Sequence, residues 1–218
     1  MIAPRKKLWS TPISALDHIE SWITLQPSDC VCDIGCGDGR IILGWAERYS
    51  QSLQTQLLPN DGDAVDERAR KDAGSPVASF LGIDIDPDRI QQSQSALEKA
   101  KSEGIIHPCI TVTFHCANAL ESFDSLASRG NIFFLYLIPR GLKIIKPLLL
   151  EHKDRLKERH QEQEKRQQQP NQDTDSNEQH LKVIAYMSPL PGETHVSREL
   201  CRVEHQPEAA WPLYLYYL

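Results

Sequence analysis

Asp33-Ile34-Gly35-Cys36-Gly37-Asp38-Gly39-Arg40 is the stretch on which the reading of this chain turns. Three alternating glycines follow a short apolar run, Cys30-Val31-Cys32-Asp33-Ile34, which reads as a buried strand. Beyond them Ile41, Ile42, Trp45 and Ala46 keep helical spacing to about Tyr49. Strand, glycine turn and helix in that order open a parallel α/β sheet. Glycine suits such a turn because backbone can approach a ligand with no Cβ in the way.

The pattern repeats outward from this unit. Residues 80–85 form a second apolar strand, and Asp86-Pro87 opens a helix with an acidic cap and a proline at its first position. Residues 110–115 alternate as a third strand. Residues 132–137 are a fourth, apolar throughout, followed by a helix over 142–150. Residues 181–187 make a fifth strand, and 196–203 with 213–218 form a closing antiparallel pair. Upstream, Ile13, Leu16, Ile19, Trp22 and Ile23 mark a helix, with Thr11 as its expected N-cap and Pro12 at its first position. The expected fold is α/β, a doubly wound, mostly parallel seven-stranded sheet with a C-terminal antiparallel hairpin.

Two polar segments interrupt the repeat. Residues 51–79 contain Asn60-Asp61-Gly62-Asp63 and few apolar positions, and residues 151–180 are dense in charge and glutamine. Both are expected as disordered inserts in a single domain spanning 1–218, with the first half of the second extending the preceding helix. They carry much of the acid behind the net charge of −6. Elsewhere Lys and Arg do not cluster, which argues against a nucleic-acid partner.

No apolar run approaches the roughly 20 residues that cross a bilayer, and no apolar leader core follows Arg5, Lys6 and Lys7. Of the six cysteines, Cys30 and Cys32 share a strand face and Cys36 sits in the glycine turn, while Cys109, Cys116 and Cys201 are scattered. No Cys-x-x-Cys pair exists and the eight histidines form no spaced cluster. Reduced thiols and no metal site are expected.

The spacing Gly35-x-Gly37-x-Gly39 differs from the dinucleotide pattern, whose third glycine is here Arg40. No Gly-Lys-Ser/Thr follows, so the turn is not a P-loop. Asp33 suits the amino-acid end of S-adenosylmethionine. A ribose-binding carboxylate belongs at the end of the next strand, about 20 residues on. Asp84 falls there once the polar insert is excised, which leaves Asp86 as a helix cap.

These residues carry a resemblance. Residues 32–41 resemble the first motif of class I S-adenosylmethionine-dependent methyltransferases. Trp9-Ser10-Thr11-Pro12, Leu135-Tyr136-Leu137-Ile138-Pro139 and Pro189-Leu190-Pro191-Gly192 are similar to elements of a small protein-lysine methyltransferase subgroup. That subgroup includes enzymes acting on the ATP synthase c subunit and on adenine nucleotide translocase. The resemblance spans nearly the whole chain apart from the two inserts. It implies a Rossmann-like class I methyltransferase in which Asp33, Gly35 and Gly37 hold the methionine part and Asp84 the ribose. Cys36, Gly39 and Ile85 count among the cofactor contacts, and Trp9 and Thr11 close over the cofactor. Asn118-Ala119 takes the place of the family's Asp-Ala beside the adenine. Asn131 replaces an acid at the start of the fourth strand, a structural change. The subgroup's mitochondrial members carry an apolar N-terminal anchor that is not seen here, so a cytoplasmic location is expected, with the mitochondrion as alternative.

A lysine acceptor must lose its proton before it attacks, and apolar and aromatic walls favour the neutral amine. Tyr136 and Pro139, at the end of the fourth strand, are the expected catalytic-side residues. The Asn/Asp-Pro-Pro-Tyr/Phe motif of enzymes that methylate planar nitrogens is absent. The expected function is transfer of methyl groups to a protein lysine. Methylation of a small molecule or RNA, or an inactive cofactor-binding interaction module, are the alternatives.

Overall fold

The computed structural model describes residues 10–57, 77–166, 180–203 and 206–218. The elements run α1 (Ala15–Trp22), β1 (Cys30–Ile34), α2 (Arg40–Leu57), β2 (Ser79–Asp84), α3 (Pro87–Ser102), β3 (Thr111–Cys116), α4 (Phe123–Leu126), β4 (Ile132–Leu135), α5 (Pro139–Arg166), β5 (Lys182–Tyr186), β6 (Ser197–Val203) and β7 (Gln206–Tyr217). The strands form one sheet in the order β3-β2-β1-β4-β5-β7-β6. β1 to β5 run parallel, and β7 lies antiparallel between β5 and β6. This is the expected doubly wound sheet with its terminal hairpin.

Parallel strands need both faces covered, because crossover helices land on each side. Leu16, Ile42, Trp45 and Ile184 belong to the core under α1, α2 and α3. Phe133, Leu142, Ile145 and Leu149 belong to the other, under α4 and α5. The order reverses between β1 and β4, and a doubly wound sheet opens its ligand crevice at the carboxyl ends of the strands there.

Several boundaries differ from expectation. Thr11 is not an N-cap: α1 starts at Ala15, its cap position is Ser14, and Ala15 N–H donates to Pro12 O through a preceding turn. Thr11 is buried ahead of that turn. The first polar segment begins later than residue 51, because α2 continues to Leu57, with Thr55 Oγ1 donating to Gln51 O. It also ends earlier, since Ser79 already pairs with Cys30. In the second, the first half extends the preceding helix as expected, α5 continuing to Arg166 with buried His152 and with Arg155 on Asp124 as its anchors. Residues 58–76 and 167–179, the remainder of both expected inserts, lie outside the described residues. β7 starts at Gln206 rather than Leu213, because β6 supplies a partner as far as Val203.

Asn131 is structural. Its Oδ1 accepts from Cys30 N–H at 2.8 Å and its Nδ2 donates to Asp29 Oδ1 at 2.7 Å, tying the starts of β1 and β4 together. All six cysteines are free thiols. Among the described residues no helix is long and apolar enough to cross a membrane.

Candidate functional site

Gly35, Gly37 and Gly39 have φ of +82°, +57° and +75°, the left-handed region that side-chain-bearing residues avoid. Alternating such residues curls residues 35–39 into a tight turn. Gly35 N–H and Cys36 N–H both donate to Ile83 O, at 2.8 and 3.0 Å, which pins the turn to the end of β2. Gly37 N–H donates to Asp84 Oδ2 at 2.8 Å.

The glycines serve different ends. A Cβ on Gly39 would stand 2.8 Å from Phe114 and 2.9 Å from Ser93 Oγ, so helix and sheet packing exclude a side chain there. Gly39 does not line the cavity described next. A Cβ on Gly37 would face the Arg89 guanidinium at 3.0 Å, and one on Gly35 would meet Leu137 at 3.5 Å. Gly35 and Gly37 both line the cavity.

That cavity, about 350 Å³, opens at the carboxyl ends of β1, β2 and β4. Asp33, Asp38, Asp84 and Asp86 contribute four carboxylates against the guanidinium groups of Arg40 and Arg89. Asp33 is 2% exposed. Burial pushes its carboxyl well above the ordinary range, and the nearby charges of Asp84 and Asp38 add to this. Burial also acts on Asp38, but the Arg40 guanidinium hydrogen-bonded to it at 2.6 Å prevails and holds its carboxyl low. Asp84 is locked in orientation, since Oδ1 accepts from Asp86 N–H at 2.9 Å while Oδ2 takes Gly37. Asp86 caps α3 as expected, accepting from Asp88 N–H at 3.0 Å. Cys36 is buried in the lining, and burial pushes its thiol far up, keeping it neutral.

Tyr136, half-buried, forms the wall on the β4 side with Phe134 and Ile138. Its ring meets Tyr186 edge to face, with centroids 5.1 Å apart. Burial raises the Tyr136 phenol, so it stays protonated over the working range of an enzyme.

Thr11, Asp33, Gly35, Cys36, Gly37, Asp84, Ile85 and Tyr136, all singled out in the sequence, are thus brought to one cavity. Pro139 is not in the lining; it is the exposed first residue of α5, where its missing N–H is harmless. Asn118 and Ala119 also stand outside the lining. Asn118 Oδ1 accepts from Leu120 N–H and Nδ2 donates to Glu121, so both ends of its amide serve the turn after β3. Ala117 N–H donates to Asp84 O at 2.9 Å, which keeps that turn beside the end of β2. Trp9 lies outside the described residues.

Ser10, Arg40, Ile41, Arg89 and Ile138 join the lining without having been expected. Arg89 was legible in principle, three residues past Asp86 in the first turn of α3, with its Nε 3.9 Å from the Asp86 carboxylate. A second hollow of about 410 Å³, between α1, α2 and the turn at 23–27, lies away from the glycine turn. Its Arg48 is already paired with Asp17 and Glu20.

No family model matches the sequence, and no curated protein matches it. Solved structures do. An RNA methyltransferase from Salinibacter ruber, in complex with S-adenosyl-L-homocysteine, is similar with a TM-score of 0.57 at 17% identity, over 95% of this chain and 92% of its own. An rRNA methylase from Streptococcus thermophilus gives a TM-score of 0.50 at 10% identity, over 97% and 99%. A conserved hypothetical protein from Streptococcus pyogenes gives 0.50 at 12% identity, over 94% of both chains. At these identities the likeness is one of fold. The chain has the seven-stranded, Rossmann-like architecture of these methyltransferases.

Proposed function

We propose that this chain is an S-adenosylmethionine-dependent methyltransferase whose acceptor is a protein lysine. The observation that carries the reading is the meeting of Asp33, the Gly35–Gly37 turn, Asp84 and Tyr136 in one 350 Å³ cavity at the switch point of the sheet. The residues present fit the cofactor. Asp33 offers a buried carboxyl to an ammonium group. Each oxygen of Asp84 accepts one backbone N–H and keeps a lone pair for a hydroxyl of the ribose. Gly35 and Gly37 leave room for backbone approach, and Ile85 offers an apolar face beside Asp84.

S-adenosylmethionine, when bound, supplies a methyl group on an electrophilic sulfonium, taken by the acceptor in an in-line displacement. The protein's share is alignment and charge. Asp38, Asp84 and Asp86 against two guanidinium groups leave the cavity with an excess of negative charge even with Asp33 protonated, which attracts a sulfonium and a cationic amine and repels a phosphodiester backbone. Tyr136, Phe134 and Ile138 form an apolar wall on the acceptor side. Removing water from an amine there favours its neutral, nucleophilic form. The Tyr136 hydroxyl is the polar group on that wall able to orient the amine lone pair.

Two measurements test this. Calorimetry should give micromolar-range affinity for S-adenosylhomocysteine, as an order of magnitude, and much weaker binding of NAD. Equal affinity for the two overturns the cofactor assignment. Tritiated-cofactor labelling of a lysate lacking the protein should give protease-sensitive label; nuclease-sensitive label overturns the lysine assignment and leaves the cofactor assignment standing.

A further inference from the structure

β7 is twice engaged over only part of its length. Leu213–Tyr217 pair with β5 on one side, whereas β6 accompanies β7 from Gln206 to Leu215 on the other. The β6–β7 hairpin therefore runs past the carboxyl edge of β5, on the side of the sheet where the cavity opens. The hydrogen bonds give the orientation of the overhang. Met187 N–H donates to Pro212 O at 2.8 Å and Leu218 N–H donates to Leu181 O at 2.9 Å, so even-numbered residues of β7 point their backbone toward the β5 side. Odd-numbered ones point toward β6, as Leu215 O does in accepting from Val196 N–H. By this alternation the N–H and C=O of Ala210 face outward on the β5 side, and no described residue pairs with them. Ala210 is exposed and Trp211 beside it is 37% exposed.

The row that would continue β5 alongside this edge is cleared by the chain itself. Met187 takes φ +69°, a costly backbone for a side-chain-bearing residue, and turns the chain out of the sheet. The turn leads to the α5 face, where Leu190 is buried, its N–H donates to Tyr216 OH at 2.9 Å, and Lys146 Nζ donates to Pro191 O at 2.7 Å. The hairpin is held firmly: Cys201 and Leu213 are buried in the same core as Leu16 of α1. By the β4–β5 register, which sets Leu135 against Ala185, Tyr136 lies level with Tyr186, and Ile138 lies level with the first cleared position of the row, about 4.8 Å across.

We propose that the acceptor polypeptide docks as an extended strand on this outer edge of β7, pairing with Ala210 and continuing the row of β5, so that a lysine on its α1-facing side passes Ile138 and reaches into the cavity toward Tyr136. The inference rests on the lysine reading above and adds how the lysine is presented. Strand addition gives affinity through main-chain bonds and leaves selection to alternate side chains. The occupant is a polypeptide rather than RNA because the edge offers the backbone N–H and C=O of Ala210, just ahead of the register shift at Arg202/Val203, and the adjoining cavity carries excess negative charge. Pro212 and Glu208 discourage self-pairing, one by lacking an N–H and the other by its charge.

The probe is a blocked hexapeptide of alternating threonine and valine with one lysine at a central position. Ala210→Pro removes the outward N–H while sparing the bonds to β6, and N-methylation of alternate peptide backbone nitrogens removes the matching donors from the ligand. Each change should raise KM for the peptide about tenfold or more, with S-adenosylhomocysteine affinity and melting temperature unchanged. Unchanged KM in both, with lysine still methylated, overturns strand docking alone. No turnover of the hexapeptide by a protein that labels lysines in lysate also overturns it. A solution dimer that Ala210→Pro dissociates assigns the edge to a second copy of this chain and overturns the proposal. Label confined to nuclease-sensitive material overturns the docking and the lysine reading together.

Discussion

Gly37 N–H donates to Asp84 Oδ2 across 2.8 Å, joining residues 47 positions apart in the chain. The carboxylate assigned to a ribose is therefore also what fixes the glycine turn assigned to the methionine part. Asp84→Ala should lose at least tenfold in affinity for S-adenosylhomocysteine by calorimetry, because it removes a ligand contact and loosens the turn at once. Asp86→Ala should cost about 1 kcal/mol of stability, the worth of a helix cap, and leave affinity within about threefold. Equal losses of affinity in the two variants would mean that Asp84 has no special place in the site.

Gly39 makes a separate prediction. Its φ of +75° disfavours any side chain, and a Cβ there would overlap Phe114 at 2.8 Å. Gly39→Ala should destabilise the protein by roughly 2 kcal/mol or more, a fall of several degrees in melting temperature for a chain of this size. Phe114→Leu in the same background should recover part of that loss by making space. A melting temperature that does not move shows that the turn can shift without the packing of α3 on β3.

The elements that were legible were those whose apolar period or cap chemistry acts locally. Cys30–Ile34 needed no partner to read as a strand, and Asp86-Pro87 announced α3 at its first residue. The misreadings lay where tertiary partners decide. Thr11 has the chemistry of a cap, yet the chain buries it in the wall of the cavity instead. The polar stretch at 51–57 keeps only Leu53 and Leu57 in helical step with Tyr49, too little to stand out among its glutamines, but it continues an α2 already nucleated by Ile42 and Trp45, and extending a helix costs far less than starting one. In the cavity, Asp33, Gly35, Gly37 and Asp84 were legible from the glycine spacing and the strand ends, whereas Gly39 serves packing instead. Ile138 did not, because nothing local distinguishes an isoleucine beside a ligand from one that is simply exposed.

Asp33 sets stability against binding. Burial, reinforced by Asp84 and Asp38, raises its carboxyl above the ordinary range. The folded chain therefore holds this proton more tightly than the unfolded chain, and the associated stability is fully present below the ordinary carboxylate range. It is lost as pH rises from about 4 toward the raised value. Asp33→Asn, neutral at every pH, should raise the ligand-free melting temperature at pH 7 by a few degrees and show no gain near pH 3.5, while S-adenosylhomocysteine binding falls at least tenfold. A gain that is the same at both pH values, or no gain at pH 7, removes charge burial as its cause.

Tyr136 tests the acceptor side. A lysine loses its proton at a free pKa of about 10.4, so turnover limited by chemistry should rise with pH through the neutral range and level off where the bound amine is deprotonated. Because burial raises the Tyr136 phenol, this residue stays a hydrogen-bonding hydroxyl there and is not the base. Tyr136→Phe should therefore keep both the pH slope and the affinity for S-adenosylhomocysteine, while lowering kcat roughly tenfold if the hydroxyl orients the amine. Tyr136→Ala should be worse, since it also removes the aromatic wall that packs on Tyr186 at 5.1 Å and lets water reach the amine. A pH slope abolished in Tyr136→Phe would make the phenol the proton acceptor. Unchanged turnover in that variant strips the hydroxyl of its role and leaves Phe134 and Ile138 to supply the desolvation alone.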